Sequence, residues 1–319
     1  MKTGFLKSKS KKTTSKEFTM LIVLVIMIII CIFINPVFIS MSNVMNLLAQ
    51  NSIIGVMALG MVFALITGSF DMSVSSTGAL TAVVSTYMFI EFGLAAGIFT
   101  GLCVGIAVGL INGLLVTKVG VNAFVTTLGT QTSVRGLVYI ITGAKPITGI
   151  PADYNFIGMG KIGGIFPVPA LIWIILAVIM AFVLKKTRFG QYVYATGGNR
   201  KAAWLSGVNT DNIKISALVL SGLFAAIGGL IYTLRILMCT ADGMDGYELK
   251  VMSACIVGGT SLDGGKGSIS GCIIGTFIMG IILNILQLAG VSSFWQDAIT
   301  GIILIGAVAI DSITARRRE

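Results

Sequence analysis

Residues 185–214 read KKTRFGQYVYATGGNRKAAWLSGVNTDNIK, the longest interior run of the sequence that cannot sit in hydrocarbon. Lys185, Lys186, Arg188, Arg200, Lys201, Asp211 and Lys214 fall between two strongly apolar segments. A charged side chain at the centre of a spanning helix costs about 2.5–3.5 kcal/mol on insertion scales, so water or another protein must receive this stretch. Within it, Gly197, Gly198 and Asn199 offer a flexible turn and a helix N-cap, Arg200 to Ser206 suits helix, and Gly207 suits a C-terminal stop. Such a helix makes about two turns, roughly 12 Å at ~1.5 Å per residue. Its sequence reads as a plug, offered to a soluble partner on one side of a membrane.

The surrounding chain fixes what that membrane reading means. Its 319 residues are 55% hydrophobic and 11% charged, with a mean hydropathy of +0.98. Soluble domains carry about 25% charged residues, so the composition predicts an all-α polytopic membrane protein. The 40 glycines fit helices that approach closely in lipid. Cys31, Cys103, Cys239, Cys255 and Cys272 lie scattered, with no CxxC spacing, and read as small core hydrophobes. The absence of histidine removes the commonest general base and the commonest transition-metal ligand, and no metal site is expected. A net charge of +10 can mark a nucleic-acid binder. Here the lysines and arginines sit in short gaps between apolar runs, which is topological bias and points to no nucleic-acid partner.

Taken in order, residues 1–17 form a basic tail holding Lys2, Lys7, Lys9, Lys11, Lys12 and Lys16. The run from Phe18 to Ile34 follows, with no small-residue cleavage site before Asn35-Pro36, and reads as an uncleaved first span. Further apolar runs occupy 44–66, 72–90, 94–116, 123–142, 166–184, 214–237, 248–259, 268–289 and 295–311. Most approach the ~20 residues that cross a ~30 Å hydrocarbon core, and the short run at 248–259 reads as a broken span. The expectation is about ten transmembrane or broken helices within a permease domain over 18–311, both termini cytoplasmic, with a basic tail at 312–319. Of the 22 lysines and arginines, all but Arg135, Lys145, Lys161, Arg235 and Lys250 then lie on the cytoplasmic side, as the positive-inside rule asks.

Three polar breaks interrupt the apolar pattern. Around Asp71 the chain reads TGSFDMSVSS from Thr67 to Ser76. Asp71 suits an N-cap accepting from the amide of Ser73 or Val74, and equally a broken helix whose polar turn is buried in protein and lines a path. A second break holds Asp242, Asp245, Tyr247, Glu248 and Lys250. A third, GGTSLDGGKG from Gly258 to Gly267, looks like a phosphate loop but fails the pattern. A Walker A motif ending in Lys266 needs Gly at 260 and Ser or Thr at 267, where Thr260 and Gly267 stand. No nucleotide hydrolysis by this chain is expected.

Five segments in order resemble one family: Asp71-Met-Ser-Val, Ile111-Asn-Gly-Leu-Leu-Val116, Thr127-Leu-Gly129 with Arg135-Gly136, Arg188-Phe-Gly190 with Gly197-Gly-Asn199 and Leu205-Ser-Gly207, and Gly246-Tyr-Glu-Leu249 with Gly258-Gly-Thr-Ser-Leu262 and Gly264-Gly265. The chain resembles the membrane permease subunits of ATP-binding-cassette importers of the ribose and simple-sugar type, related to the branched-chain amino-acid permeases. The resemblance runs from Asn43 to Asp311. It implies two permease chains, identical or not, in a bacterial cytoplasmic membrane, two cytoplasmic ATPases that bind ATP and Mg, and an extracytoplasmic solute-binding protein. It also implies that the 185–214 loop contacts the ATPase, through Gly197, Gly198, Asn199, Ala202, Ala203, Trp204, Leu205 and Gly207, with Arg200 and Lys201 able to pair with carboxylates on the partner. The solute would be a small polar molecule, a monosaccharide such as ribose first, with autoinducer-2, a nucleoside or a branched-chain amino acid as alternatives. The chain departs from the family pattern at Ser75, at Asn122-Ala123, at Lys201 and at Lys250.

Candidates for the solute path are polar residues placed in spans: Gln50, Asn51, Asp71, Asn112, Asn122, Thr126, Gln131, Arg135, Asn284 and Gln287. Many such groups only stitch helices together, at about 0.6 kcal/mol each. Arg135 is a permanent cation that needs an answer within the bundle, for which Asp71 or Glu91 is expected. A secondary transporter would need buried carboxylates on broken helices, which Asp71 alone supplies poorly. An intramembrane enzyme would need a nucleophile with a base or a metal cluster, and neither is in view.

Overall fold

The computed structural model describes the backbone of residues 7–316 and the side chains of residues 17–309 and Ile313. The tail lysines before Glu17 and Arg316 to Arg318 lie outside the described side chains. The chain folds into thirteen helices among the described residues: α1 (Lys7–Ile34), α2 (Met41–Ile66), α3 (Val74–Phe92), α4 (Leu94–Leu114), α5 (Ala123–Thr142), α6 (Asn155–Met159), α7 (Val168–Lys186), α8 (Arg188–Gly198), α9 (Arg200–Leu205), α10 (Thr210–Ile236), α11 (Tyr247–Val257), α12 (Ile269–Leu288) and α13 (Ser293–Arg316). Each of the ten apolar runs has become a helix. Six of these, α1 from Glu17, α2, α4 with its extension to Val119, α7, α10 and α12, are long and apolar enough to cross a bilayer. With 11 residues, α11 is too short to do so alone, as its run suggested.

Local chemistry sets the joints. Pro36 lacks the amide that would continue α1, and Asn35 Oδ1 accepts from the amide of Val37 at 3.0 Å to form the stop. Ser40 Oγ then accepts from the amide of Asn43 and opens α2.

Helix α2 is the hub. It packs against α7, α10, α11 and α12, and 94% of its spanning window is buried. From Val56 to Ile66 it is apolar on every side, as a helix with no solvent or lipid face must be. Beside it, α4 carries Gly97, Gly101, Gly105, Gly109 and Gly113, a glycine every fourth residue and so along one face. A Cβ on Gly105 would meet the Gly222 carbonyl and Ala226 of α10; one on Gly109 would meet the Leu218 carbonyl. On the other side of the row, Gly97 sits against Phe89 and Gly101 against Ser85, both of α3. The two backbones approach as small residues allow, and dispersion replaces the hydrophobic drive that lipid cannot supply.

The bundle has two distinct ends. At one, the last turn of α2, the end of α8 and the 258–267 turn come together, and Glu17 accepts from the Ser268 and Ser270 hydroxyls, each at 2.7 Å. At the other, Ile147–Thr148 pairs antiparallel with Met238–Cys239, and Lys161–Ile162 with Phe166–Pro167. Helix α6 lies across the end of α10, its Gly158 against the backbone of Leu234 and Arg235. The 143–167 loop is therefore a folded cap on the bundle.

Substituting Gly105→Ala forces α4 and α10 apart and is expected to cost about 1–3 kcal/mol, read as a lower unfolding midpoint in detergent. Gly306→Ala, which meets nothing within 4 Å, leaves the midpoint unchanged.

Candidate functional site

The first polar break is buried and internally bonded. Thr67 Oγ1 donates to the Ala64 carbonyl at 2.8 Å as α2 ends, and Gly68 turns the chain at φ +72°. Asp71 is 2% exposed, and its Oδ1 accepts from the Ser73 amide at 3.0 Å and the Ser73 hydroxyl at 2.6 Å. Ser73 Oγ in turn accepts from Asn112 Nδ2 of α4 at 2.9 Å, and Thr130 Oγ1 of α5 donates to Asn112 Oδ1 at 2.7 Å. Thr127 Oγ1, also on α5, accepts from the Met72 amide and lies 3.1 Å from the Phe70 carbonyl. The break thus draws its hydrogen bonds from α4 and α5, as irregular backbone buried in protein requires. Ser221 of α10 faces the carboxylate as well, and Asp71 Oδ2 has no partner at bonding distance.

Of the ten nominated residues, the structure brings Asp71 and Asn112 into this network. Thr126 is buried beside it, its hydroxyl unpartnered. Asn51 is buried on α2 against Gly280 of α12, with Nδ2 unpartnered. Asn284 exchanges side-chain hydrogen bonds with Asn43 at 2.9 and 3.0 Å, a stitch between α12 and α2. Asn122 caps α5 by accepting from the Phe124 amide, Gln131 is half-buried, and Gln50, Asn122 and Gln287 are exposed.

Arg135 corrects an expectation. Its guanidinium donates to the Ala241 and Gly243 carbonyls at 2.9 and 2.8 Å, not to Asp71 or Glu91. It lies about two turns along α5 from Thr127, which meets the Asp71 turn, and the turn after α10 offers carbonyls that would otherwise be orphaned. Sequence reasoning placed Ser73 only as a backbone donor to Asp71 and missed Thr127, Thr130 and Ser221. The signal for two of them was present: Thr127 and Thr130 are three apart, hence on one face of α5.

The 185–214 loop is a pair of helices. Gly197 and Gly198 end α8 and do not form a separate turn, because Thr187 caps α8 and it runs for 11 residues. Asn199 is the N-cap of α9, accepting from the Ala202 amide at 2.9 Å, and Gly207 stops it at φ +85°. Ala203 is buried, whereas Trp204 is 64% and Leu205 70% exposed. Arg200 Nη2 lies 2.7 Å from Asp211 Oδ1, with Lys118 Nζ 3.5 Å from Oδ2, so the start of α9 is braced to α10, and the same carboxylate ties α10 to the extension of α4. A cavity of about 740 Å³ opens between these residues and Trp204.

Gly197 faces inward. A Cβ there would meet the Ile66 carbonyl and the Gly265 amide, and these two are themselves hydrogen-bonded at 2.8 Å. Gly264 packs on Gly197 and on the Gly68 amide. Tyr194 adds a tie by donating to the Gly267 carbonyl at 2.7 Å. Burial, with the Glu17 charge nearby, pushes its phenol up to about 12, which keeps it a donor at neutral pH. The exposed helix is thereby joined through three glycines to the start of the polar break.

Thr127→Val leaves the Met72 amide buried without its acceptor, at about 1–3 kcal/mol. Faster amide exchange at 70–73, with exchange in α10 unchanged, is the expected reading.

A family model described as "Branched-chain amino acid transport system / permease component" matches residues 43–308. The chain is 42% identical over 291 residues to the ribose import permease protein RbsC of Bacillus subtilis, covering 90% of each chain. It is 38% identical over 300 residues to RbsC of Escherichia coli K12, covering 93% of this chain and 94% of that one. It is 41% identical over 302 residues to the L-arabinose transport system permease protein AraH of the same organism, covering 92% and 90%. No solved structure matches the chain.

Proposed function

Because the chain belongs to the branched-chain amino acid transport system permease component family, we propose that it is the membrane-spanning subunit of an ATP-driven importer for a monosaccharide, with D-ribose the first solute to test. The chain is a transport subunit of the bacterial inner membrane, and ATP is hydrolysed on a separate subunit. Likeness to ribose permeases along nine-tenths of the chain supports the solute. Likeness to the arabinose permease supports L-arabinose as the second candidate.

The observation that carries the coupling role is the exposure of Trp204 and Leu205 on a helix capped by Asn199 and held at its start by Arg200. A tryptophan and a leucine held out from the surface suit a helix-in-groove contact, in which Trp alone buries about 150–250 Å². The ATPase, with ATP and Mg on it, pulls on α9. The three-glycine contact passes the displacement to the end of α2 and the polar break. Asp71, Ser73, Asn112 and Thr130 change partners as the path opens, and the permease alters no bond in the solute. Lys201 is left exposed to pair with an acidic group on the ATPase, while Arg200 is engaged by Asp211.

The reading of ten crossings with both termini cytoplasmic draws support from which loops meet. Ile66 to Gly68, Lys118, Gly197 to Asp211 and Gly264 to Gly267 gather at one end. Residues 147–148 and 238–243, with Arg135 bound to them, gather at the other. Alternate crossings by α1 to α5, α7 and α10 to α13 give this grouping. A second permease chain and an extracytoplasmic binding protein at the 143–167 end complete the importer.

Trp204→Glu and Gly207→Pro, the latter incompatible with φ +85°, are expected to leave the chain inserted and abolish co-purification with the ATPase. Retained co-purification refutes the α9 role. D-ribose-loaded binding protein is expected to raise ATP hydrolysis of the assembled complex several-fold, and an unchanged rate refutes the importer reading for this solute.

A further inference from the structure

Helix α1 is the least buried of the six long apolar helices, with only 6% of its spanning window covered by the rest of the chain. Leu24 and Ile28 join Phe277 and Ile281 of α12 in one apolar cluster, and much of the remainder is exposed. A helix so placed needs only apolar side chains to stay in lipid. Its cytoplasmic end nevertheless turns a carboxylate onto the bundle.

Glu17 Oε1 accepts from the Ser268 and Ser270 hydroxyls, each at 2.7 Å. Ser268 is the N-cap of α12, and its Oγ accepts from the Gly271 amide at 3.0 Å. A hydroxyl has one hydrogen to give and lone pairs with which to accept. With that hydrogen committed to Glu17, the Ser268 oxygen is left facing the amide, so the carboxylate holds the cap in its accepting orientation. One residue earlier, the Gly267 carbonyl is held from the other side by Tyr194 of α8. Met20, three residues on from Glu17 and so on the same face of α1, lies over Gly259. Helix α1 thus touches both ends of the 258–268 turn, whose middle closes α2 through the Gly265 amide and packs on Gly197 through Gly264.

We propose that Glu17 is a positioning residue for energy coupling. It touches neither solute nor ATPase. By fixing Ser268 and Ser270 it anchors the turn to α1, so that a displacement of α8 and α9 is delivered to the end of α2 and the polar break and is not spent in sliding the turn. The peripheral first span thereby sets how much of the ATPase's movement reaches the path. The inference rests on the coupling role of α9.

The test uses the complex of permease and ATPase in lipid nanodiscs. In wild type, trapping ATP on the ATPase with vanadate changes amide exchange at residues 67–73. Glu17→Ala reduces that change at least threefold, while co-purification of the ATPase and the unfolding midpoint stay as in wild type. Glu17→Gln keeps an accepting oxygen and restores the change to within twofold of wild type. A contact serving stability alone would lower the midpoint and leave the nucleotide response in place. Adding Glu17→Ala to Ser268→Ala/Ser270→Ala has no further effect, as residues acting through one contact require. An unaltered response in Glu17→Ala overturns the proposal, as does a Glu17→Gln response no better than that of Glu17→Ala, or a further loss in the serine double variant. If Glu17→Ala fails to insert, Ser270→Ala, which leaves the α12 cap in place, is expected to weaken the response, and an unaltered response there overturns the proposal. Wild type with no change at 67–73 on trapping refutes the coupling reading itself, which separates the two failures.

Discussion

The hydrogen bond from the Gly265 amide to the Ile66 carbonyl, 2.8 Å long, is the contact on which the rest of this bundle depends. The last carbonyls of any helix lack intrahelical partners; at the buried end of α2 those of Phe63, Ala64 and Leu65 are met by the amides of Thr67, Ser69 and Gly68, which leaves that of Ile66. A loop must reach in, and it can do so only if nothing stands between. Gly264 and Gly265, at φ +83° and +71°, bring the loop backbone to α2, and Gly197 lets α8 lie across the same point. A single methyl at Gly197 would occupy the place of the bonded atoms. The geometry that closes α2 is thus the geometry that ties the exposed helix to the interior.

Around that contact the bundle divides its chemistry. The contact of α2 with α7 and the upper part of α10 is apolar and close-packed, as in Trp173 against Gly55 and Phe224 against Gly60. The opposite side, where α3, α4 and α5 meet the break, is held by hydroxyls and amides. Hydrogen bonds of this kind are worth little each in lipid, because alternative partners are near in energy. That makes the polar side the easier one to rearrange, and the apolar side the frame against which it moves. The 4.0 Å approach of Cys255 and Cys272, with Gly258 on Gly271, shows that α11 belongs to the frame although it is short.

Much of this was legible in the sequence. Ten apolar runs predict the ten principal helices, since hydrophobic length is a local property, and Asn199 and Gly207 mark the bounds of α9 because capping chemistry is local too. The bond from the Ser73 amide to Asp71 was legible, but Asp71 is not the N-cap: Ser73 itself precedes α3. What the sequence could not reveal is convergence. That Asn112 answers Ser73, or that Arg135 is met by the carbonyls of Ala241 and Gly243, depends on which helices become neighbours. The glycine row of α4 announces a close contact, but its partner, the Leu218 to Ala226 face of α10, is a tertiary fact. The length of α8 was obscured for a related reason. Gly197 and Gly198 read as a turn when taken alone; in the structure they end a helix, and Gly197 is there because a Cβ would meet the Ile66 carbonyl and the Gly265 amide.

The near-total burial of α2 bears on how the molecule is made. Of the six long apolar helices, α2 is the least apolar, and its neighbours α7, α10, α11 and α12 all come later in the chain. At ~5–20 residues per second, the ribosome finishes Leu288 about 10–45 s after Ile66. Throughout that interval the helix at the centre of the finished protein must remain in lipid without its permanent neighbours, Asn51, Ser52 and the Asp71 turn uncovered. Whatever shelters it then, whether the insertion machinery or a transient pairing with α1 and α3, acts on the element least suited to wait. A chain stopped before α10 therefore exposes the least apolar of its long spans to the membrane and to the proteases that survey it.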